Sequence, residues 1–199
     1  MEHVMVHFEA VLRIAVGQGT AFTLQSFYKT RFVAEGFRNR RVRLAVPEQV
    51  NIVADVDDFS DRNMPEVLRL LRLGFIVVSK AHSEVGVEYL APFVDATTTK
   101  LIVACVQCKF VVKSTSWTDI ADKMLTATKY LRTHRQELFP VVYTTVDQRA
   151  MAESTFSDGV YFTETELFSF TSPLGVLRMH MEKLGAIASQ AFPFLARRK

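Results

Sequence analysis

The chain has 199 residues, of which 49% are hydrophobic and 11% aromatic, and its formal net charge is +3. The length predicts one domain over residues 1–199, and the composition is ample for a sizeable core. No apolar stretch reaches the roughly 18 residues of a spanning helix, and the N-terminus lacks the basic region of a signal peptide. We therefore expect an intracellular protein without a membrane partner.

The N-terminal part of the chain combines helical and strand patterns. A helix is predicted over residues 3–16, because apolar side chains recur there at helical spacing: Val4, Phe8, Val11, Leu12 and Ala15. Residues 20–40 are mixed and favour a second helix or an irregular packing segment. Residues 41–46 and 50–56 predict strands, and Pro65 begins a short helix that Gly74 ends.

The remaining segments predict a mixed α/β (α+β) core over about residues 75–147. Strands are expected at 75–79, 87–94, 101–112, 139–146 and 160–162, and an amphipathic helix at 116–132, where Ser116 is a good cap. The order of three strands, a helix and a strand suits an α/β core with a right-handed crossover. Pro173 begins a predicted helical appendage over about residues 173–190.

Residues 92–110, PFVDATTTKLIVACVQCKF, contain the candidate site. Asp95 ends a short apolar segment, and Gln107 and Lys109 share one face of the following strand, because side chains alternate with period two. A hairpin turn between the two segments would bring Asp95 back beside them. A carboxylate, an amide oxygen and a lysine could hold Mg²⁺ and orient a scissile phosphate.

Each of these residues also has a structural interpretation. Asp95 could be a turn residue that accepts hydrogen bonds from its own backbone, and Lys109 could be a solvent-facing side chain at a strand end. Gln107 argues for a site, since a buried amide needs a partner. Glu88 could supply a carboxylate, but it falls on the face opposite Asp95 unless Pro92 breaks the strand.

The two cysteines, Cys105 and Cys108, have C-x-x-C spacing. A zinc site is rejected because a second pair is lacking, and a redox site because a strand sends the two thiols to opposite faces. We expect two buried free thiols, which fit a reducing compartment.

Basic residues cluster in two places. Arg38, Arg40, Arg41 and Arg43 are candidate nucleic-acid contacts, and Arg197, Arg198 and Lys199 close the chain. Such groups give sequence-independent, salt-sensitive affinity for phosphates. The alternative is a solvated loop and a frayed tail.

The pattern FVDA…VQCK resembles the PD-(D/E)xK, or restriction-endonuclease-like, nucleases. More narrowly, it is similar to the nuclease-like domain of Crinkler effectors and trypanosome retrotransposon hot spot proteins. The resemblance implies a central mixed sheet of about four to five strands flanked by helices. It assigns Asp95, Gln107 and Lys109 to catalysis, with Mg²⁺ or Mn²⁺ on Asp95 and Gln107. Phe8-Glu9-Ala10-Val11 resembles the family's helix pattern, which makes Glu9 a fourth candidate.

Two functions are expected from this resemblance. The first is metal-dependent hydrolysis of phosphodiester bonds in nucleic acid, in DNA rather than RNA, in the nucleus. The second is a nuclease-like fold with little or no activity that binds nucleic acid or protein in a nuclear complex. Gln107 counts against the first, since it replaces the more common acidic ligand, whereas Gln107 and Lys109 would lack a purpose in the buried strand under the second.

Overall fold

The fold is a mixed sheet with helices packed on both of its faces. The computed structural model describes residues 2–16, 19–28, 33–45, 52–81, 86–109, 122–126, 128–133, 136–144 and 159–162. Within these ranges eight strands form one sheet. The predicted mixed α+β class is confirmed.

The described helices and strands have the following bounds. The helices are α1 (Glu2–Val16), α2 (Leu24–Tyr28), α3 (Glu35–Arg38), α4 (Met64–Arg72), α5 (residues 122–126) and α6 (Lys129–Thr133). The strands are β1 (Phe22–Thr23), β2 (Arg41–Leu44), β3 (Val53–Val56), β4 (Ile76–Ser79), β5 (Tyr89–Asp95), β6 (Leu101–Lys109), β7 (Glu137–Thr144) and β8 (Val160–Phe162).

The sheet runs in the order β1-β2-β5-β6-β7-β8, and β4 joins β3 to β5. β5 and β6 form an antiparallel hairpin, and β6 and β7 are parallel. A parallel neighbour requires a crossover connection, and α5 and α6 lie in that connection. A crossover connection is therefore confirmed, and its right-handedness stays a prediction.

β6 is buried on both faces and divides the interior into two cores. Its even-numbered residues, such as Ile102 and Val106, lie in the α1-side core, which also contains side chains of α1 and α2. Val103 and Cys105 lie in the α4-side core, with side chains of α4, α5 and α6. Cys108 belongs to the α1-side core, so the two free thiols lie on opposite faces as predicted. Burial raises the pKa of the Cys105 thiol to about 12.

An ion pair is buried between α1 and the sheet. Glu9 and Arg13 are fully buried, and the Arg13 Nη2 atom lies 2.8 Å from Glu9 Oε1. The Tyr89 hydroxyl donates to the second Glu9 oxygen at 2.7 Å. The Arg13 guanidinium also stacks on Phe93, 4.3 Å from the ring centroid. Both members of the pair belong to α1, and it is their contacts with Tyr89 and Phe93 that couple this helix to β5.

Arg13 also forms a hydrogen bond with β5 at the point where the neighbouring strand changes from β4 to β2. β4 pairs with β5 at Tyr89 and Leu90, whereas β2 pairs with the same edge of β5 from Phe93 onward. Pro92 lies between these two stretches and has no N–H to leave unpaired. Its carbonyl accepts a hydrogen bond from Arg13 Nη1 at 2.6 Å. A side chain from α1 thus supplies the bond that neither neighbouring strand makes.

Most sequence predictions in the described ranges are confirmed to within a few residues. The segment 20–40, left open between helix and irregular structure, contains β1, α2 and α3. The Ser116 cap, the appendage at 173–190 and the basic tail lie outside the described residues. Among the helices that the structure describes, none is long and apolar enough to span a membrane.

Candidate functional site

The register of the β5–β6 hairpin decides which polar residues meet. Val94 pairs with Leu101 beside the turn, and Tyr89 pairs with Val106 at the other end. Asp95 therefore lies at the turn end of the hairpin, whereas Glu88 and Gln107 lie together at its open end.

Asp95 organises the turn. Its Oδ1 accepts hydrogen bonds from the backbone N–H groups of Thr97 at 2.9 Å and Thr98 at 2.7 Å. Its Oδ2 accepts from Arg40 Nε at 2.8 Å. The Thr98 N–H and the Arg40 guanidinium hold the pKa of Asp95 well below its usual range. This is the arrangement of a turn residue that bonds its neighbouring backbone.

Arg40 connects this turn to β7. Its guanidinium pairs with Asp95 and also with Glu137. The side chain is only 22% exposed. Arg40, one of the four arginines predicted to contact nucleic acid, is thus engaged within the protein.

The expectation that Asp95 lies beside Gln107 is wrong. Gln107 lies six positions after Leu101 in β6, which is about 20 Å along a strand. The two side chains also lie on opposite faces. Asp95 pairs in register with Val42, a residue of the α1-side core, whereas Gln107 alternates with Val106 and Cys108 of that core. The turn follows Asp95 directly and places it at the wrong end of the hairpin.

Glu88 is the carboxylate that the structure places beside Gln107. Gln107 Nε2 donates to Glu88 Oε1 at 2.7 Å, and the Glu88 backbone N–H donates to the Val106 carbonyl at 2.8 Å. Gln107 is fully buried, and Glu88 is half-buried. Among the described residues, Gln107 Oε1 has no hydrogen-bond partner. Buried amide oxygens are normally satisfied, so this acceptor lacks, within the described ranges, the partner that such a group usually has.

Lys109 lies two residues beyond Gln107, opposite Thr144 in the parallel pairing with β7. Its backbone therefore belongs to the open end of the hairpin. Its side chain lies outside the described part of the structure. The expectation that it shares the face of Gln107 stays a prediction.

Glu9, the fourth candidate, does not join this site. Its carboxylate is engaged by Arg13 and by the Tyr89 hydroxyl within the α1-side core. Gln107 faces the other side of the sheet. The geometry gives Glu9 a structural position between helix and sheet.

The donor set at the open end fits a hard divalent cation. Mg²⁺ and Mn²⁺ prefer carboxylate and amide oxygens and are often held by only one or two carboxylates. Glu88 offers a carboxylate, and a half-turn of the Gln107 amide would bring its unpartnered Oε1 beside it. Over the described residues, no group of three His, Cys, Asp or Glu side chains forms a metal cluster. The metal interpretation therefore depends on the Glu88–Gln107 pair.

Three of the four arginines in the basic cluster are solvent-exposed: Arg38, Arg41 and Arg43. In β2, Arg41 and Arg43 alternate with Val42 and Leu44, which belong to the α1-side core. Arg41 and Arg43 thus lie on the same face of the sheet as Gln107.

The sequence contains a signal for the Glu88–Gln107 pair. Glu88 is predicted to lie on the face opposite Asp95, and the structure confirms this. In an antiparallel hairpin, residues equally distant from the turn lie opposite each other on one face. Counting outward from a turn at residues 96–99 leads to Glu88 and Gln107.

Comparison with protein-family models, curated proteins and solved structures gave no significant match. The likeness to restriction-endonuclease-like nucleases therefore stays a prediction from sequence.

Proposed function

We propose that this protein is a metal-dependent nuclease-like phosphodiesterase whose site lies at the open end of the β5–β6 hairpin. One observation carries the proposal. The fully buried Gln107 amide lies 2.7 Å from the Glu88 carboxylate, with an oxygen that has no described partner. Leaving a buried polar group unsatisfied costs about 1–3 kcal/mol, and a bound cation would offset that cost.

Glu88 and Gln107 would hold Mg²⁺ or Mn²⁺ in this proposal. Such a cation polarises a phosphoryl oxygen and lowers the pKa of a bound water. Lys109, two residues beyond Gln107, is the proposed cation that stabilises charge developing on the phosphate. The two protein oxygens set the position of the phosphate relative to the strand end.

Nucleic acid, with DNA in preference to RNA, is the proposed substrate. Arg41 and Arg43 are exposed on the sheet face that carries Gln107. The register places them near the turn end of the hairpin, about 20 Å from Glu88 along β5. Contacts at both places would hold an extended polyanion, and their affinity for phosphates falls as salt rises. Nuclear location is part of the same proposal.

The test compares the two carboxylates that flank β5. Wild-type protein, Glu88→Gln and Asp95→Asn are incubated with plasmid, single-stranded DNA and RNA in Mg²⁺, Mn²⁺ or EDTA. We expect metal-dependent cleavage by the wild type and a loss of at least about 100-fold in Glu88→Gln, because the anionic ligand is removed. Asp95→Asn, the matched control, should keep its activity per folded molecule.

Two results would overturn the enzyme proposal. One is wild-type inactivity on every substrate with both metals, and the other is undiminished cleavage by Glu88→Gln. Inactivity combined with salt-sensitive binding of nucleic acid would support the second candidate, a nuclease-like binding module. The exposed arginines of β2 are the observation that favours that candidate.

A further inference from the structure

The crossover connection packs against the segment at the open end of the hairpin, at a glycine. Gly86 is buried, has φ +75°, and precedes Glu88 by two residues. A Cβ at Gly86 would overlap the Lys123 Cβ and lie 2.6 Å from the Lys123 backbone carbonyl carbon. Glycine is required for both reasons, since other residues rarely adopt this conformation and none would fit the space. The start of α5 is therefore held directly against the segment that leads into Glu88.

This contact places one lysine beside the candidate site. Gly86 and Glu88 are at most about 7 Å apart along the chain. The Lys123 side chain begins at the Gly86 contact and is exposed. Among the described residues, no ion pair engages its ammonium group. A flexible cation next to a carboxylate–amide pair is suited to bind a phosphate that approaches that pair.

We infer that Lys123 binds a phosphate of the nucleic-acid substrate at the Glu88–Gln107 site, and that Gly86 positions it there. The inference takes its substrate class from the proposed function. It adds a phosphate contact from the crossover helix α5, which is separate from the β2 arginines. Lys123 has no role in holding the metal, so its contribution is to binding and orientation.

Binding without cleavage tests the inference. The affinity of a labelled duplex and of a single-stranded oligonucleotide is measured in EDTA across a series of salt concentrations. Lys123→Ala should weaken binding about three- to tenfold and reduce the slope of log K against log salt by about one. Lys123→Arg should restore both, because it keeps the charge. Lys129→Ala is the matched control, since Lys129 is an exposed lysine of α6 in the same connection.

Cleavage kinetics separate this inference from the proposed function. If the wild type cleaves, Lys123→Ala should raise KM with little change in kcat, because the lost contact is formed in substrate and transition state alike. If the wild type does not cleave but Lys123→Ala still changes the salt slope, the nuclease proposal fails and Lys123 remains a nucleic-acid contact. An unchanged slope in Lys123→Ala, or no binding of either oligonucleotide by the wild type, would overturn the inference.

Discussion

The two ends of the β5–β6 hairpin each carry a carboxylate, and they differ in what surrounds it. At the turn end, Asp95 accepts hydrogen bonds from two backbone N–H groups and from Arg40. At the open end, Glu88 lies beside the buried Gln107 amide, whose oxygen has no hydrogen-bond partner among the described residues. A carboxylate whose neighbours are all donors stabilises the local fold. A carboxylate next to an acceptor without a partner is suited to bind a cation, because the carboxylate and the amide oxygen can then coordinate the same positive charge.

The largest expected effect on stability is at the turn end. Asp95→Asn removes the charge that pairs with Arg40 and sets an amide N–H against the guanidinium. Hydrogen bonds to charged groups contribute about 1.5–3 kcal/mol, so we expect the free energy of unfolding to fall by about 2 kcal/mol. Chemical denaturation followed by circular dichroism measures this change. Glu88→Gln should change stability by less than about 1 kcal/mol, since its oxygen can still accept from Gln107.

Acid titration checks the same residue. The folded-state pKa of Asp95 lies below its usual value, so its stabilisation is present above about pH 4 and is lost as pH falls towards the folded pKa. The difference between wild type and Asp95→Asn should therefore shrink progressively as the pH falls below about 4. A difference that stays constant down to pH 2 would contradict the assigned hydrogen bonds.

A smaller effect is expected when Gln107 is made acidic. Gln107→Glu supplies a second anionic oxygen at the open end, so Mg²⁺ affinity should rise on the order of tenfold, or about 1.4 kcal/mol. Calorimetric titration with Mg²⁺ measures the affinity, and cleavage should become faster. Without metal the two carboxylates repel, which should lower the melting temperature until Mg²⁺ is added. Equal Mg²⁺ affinity in both proteins would count against a metal at this end.

The smallest expected effect has the opposite sign to that of Asp95→Asn. Gln107→Leu removes a fully buried amide whose oxygen has no described partner, so the free energy of unfolding should rise by about 1 kcal/mol. Metal binding should be lost in the same variant. Denaturation and Mg²⁺ titration of one preparation measure both. A loss of stability instead would show that the Glu88–Gln107 hydrogen bond is a structural pair like that of Asp95.

Much of the fold follows from local patterns in the sequence. Helix α1 shows apolar residues at helical spacing, strand β6 is a continuous apolar run of strand length, and the parallel β7 follows from the helical connection after β6. β1 and α2 were not predicted individually, because two strand residues followed by five helical ones are too short to show a period. Their positions are set by packing of aromatic side chains, such as Phe27 on Phe93 at 5.4 Å.

The site was only partly predictable, for a geometric reason. Buried Gln107 was identified as the residue that needs a partner, and this was confirmed. The sequence places a turn between the two segments, but it was the pairing across that turn, not its presence, that excluded Asp95 as the neighbour of Gln107. A tight turn at residues 96–99, where Thr99 has φ 58°, fixes every pairing in the hairpin. One turn position therefore decides which carboxylate meets the amide.

The Arg13–Pro92 hydrogen bond makes α1 part of the sheet's own cooperative unit. The junction between β2 and β4 on the edge of β5 is closed by a side chain from the first helix of the chain. If α1 detached, the buried Tyr89 hydroxyl would lose its Glu9 acceptor, and the Pro92 carbonyl would lose its Arg13 donor. α1 and the centre of the sheet should therefore open in one step, with similar protection against amide hydrogen exchange. The N-terminal helix thus stabilises the centre of the sheet. A truncated variant that lacks α1 should therefore lose the sheet as well.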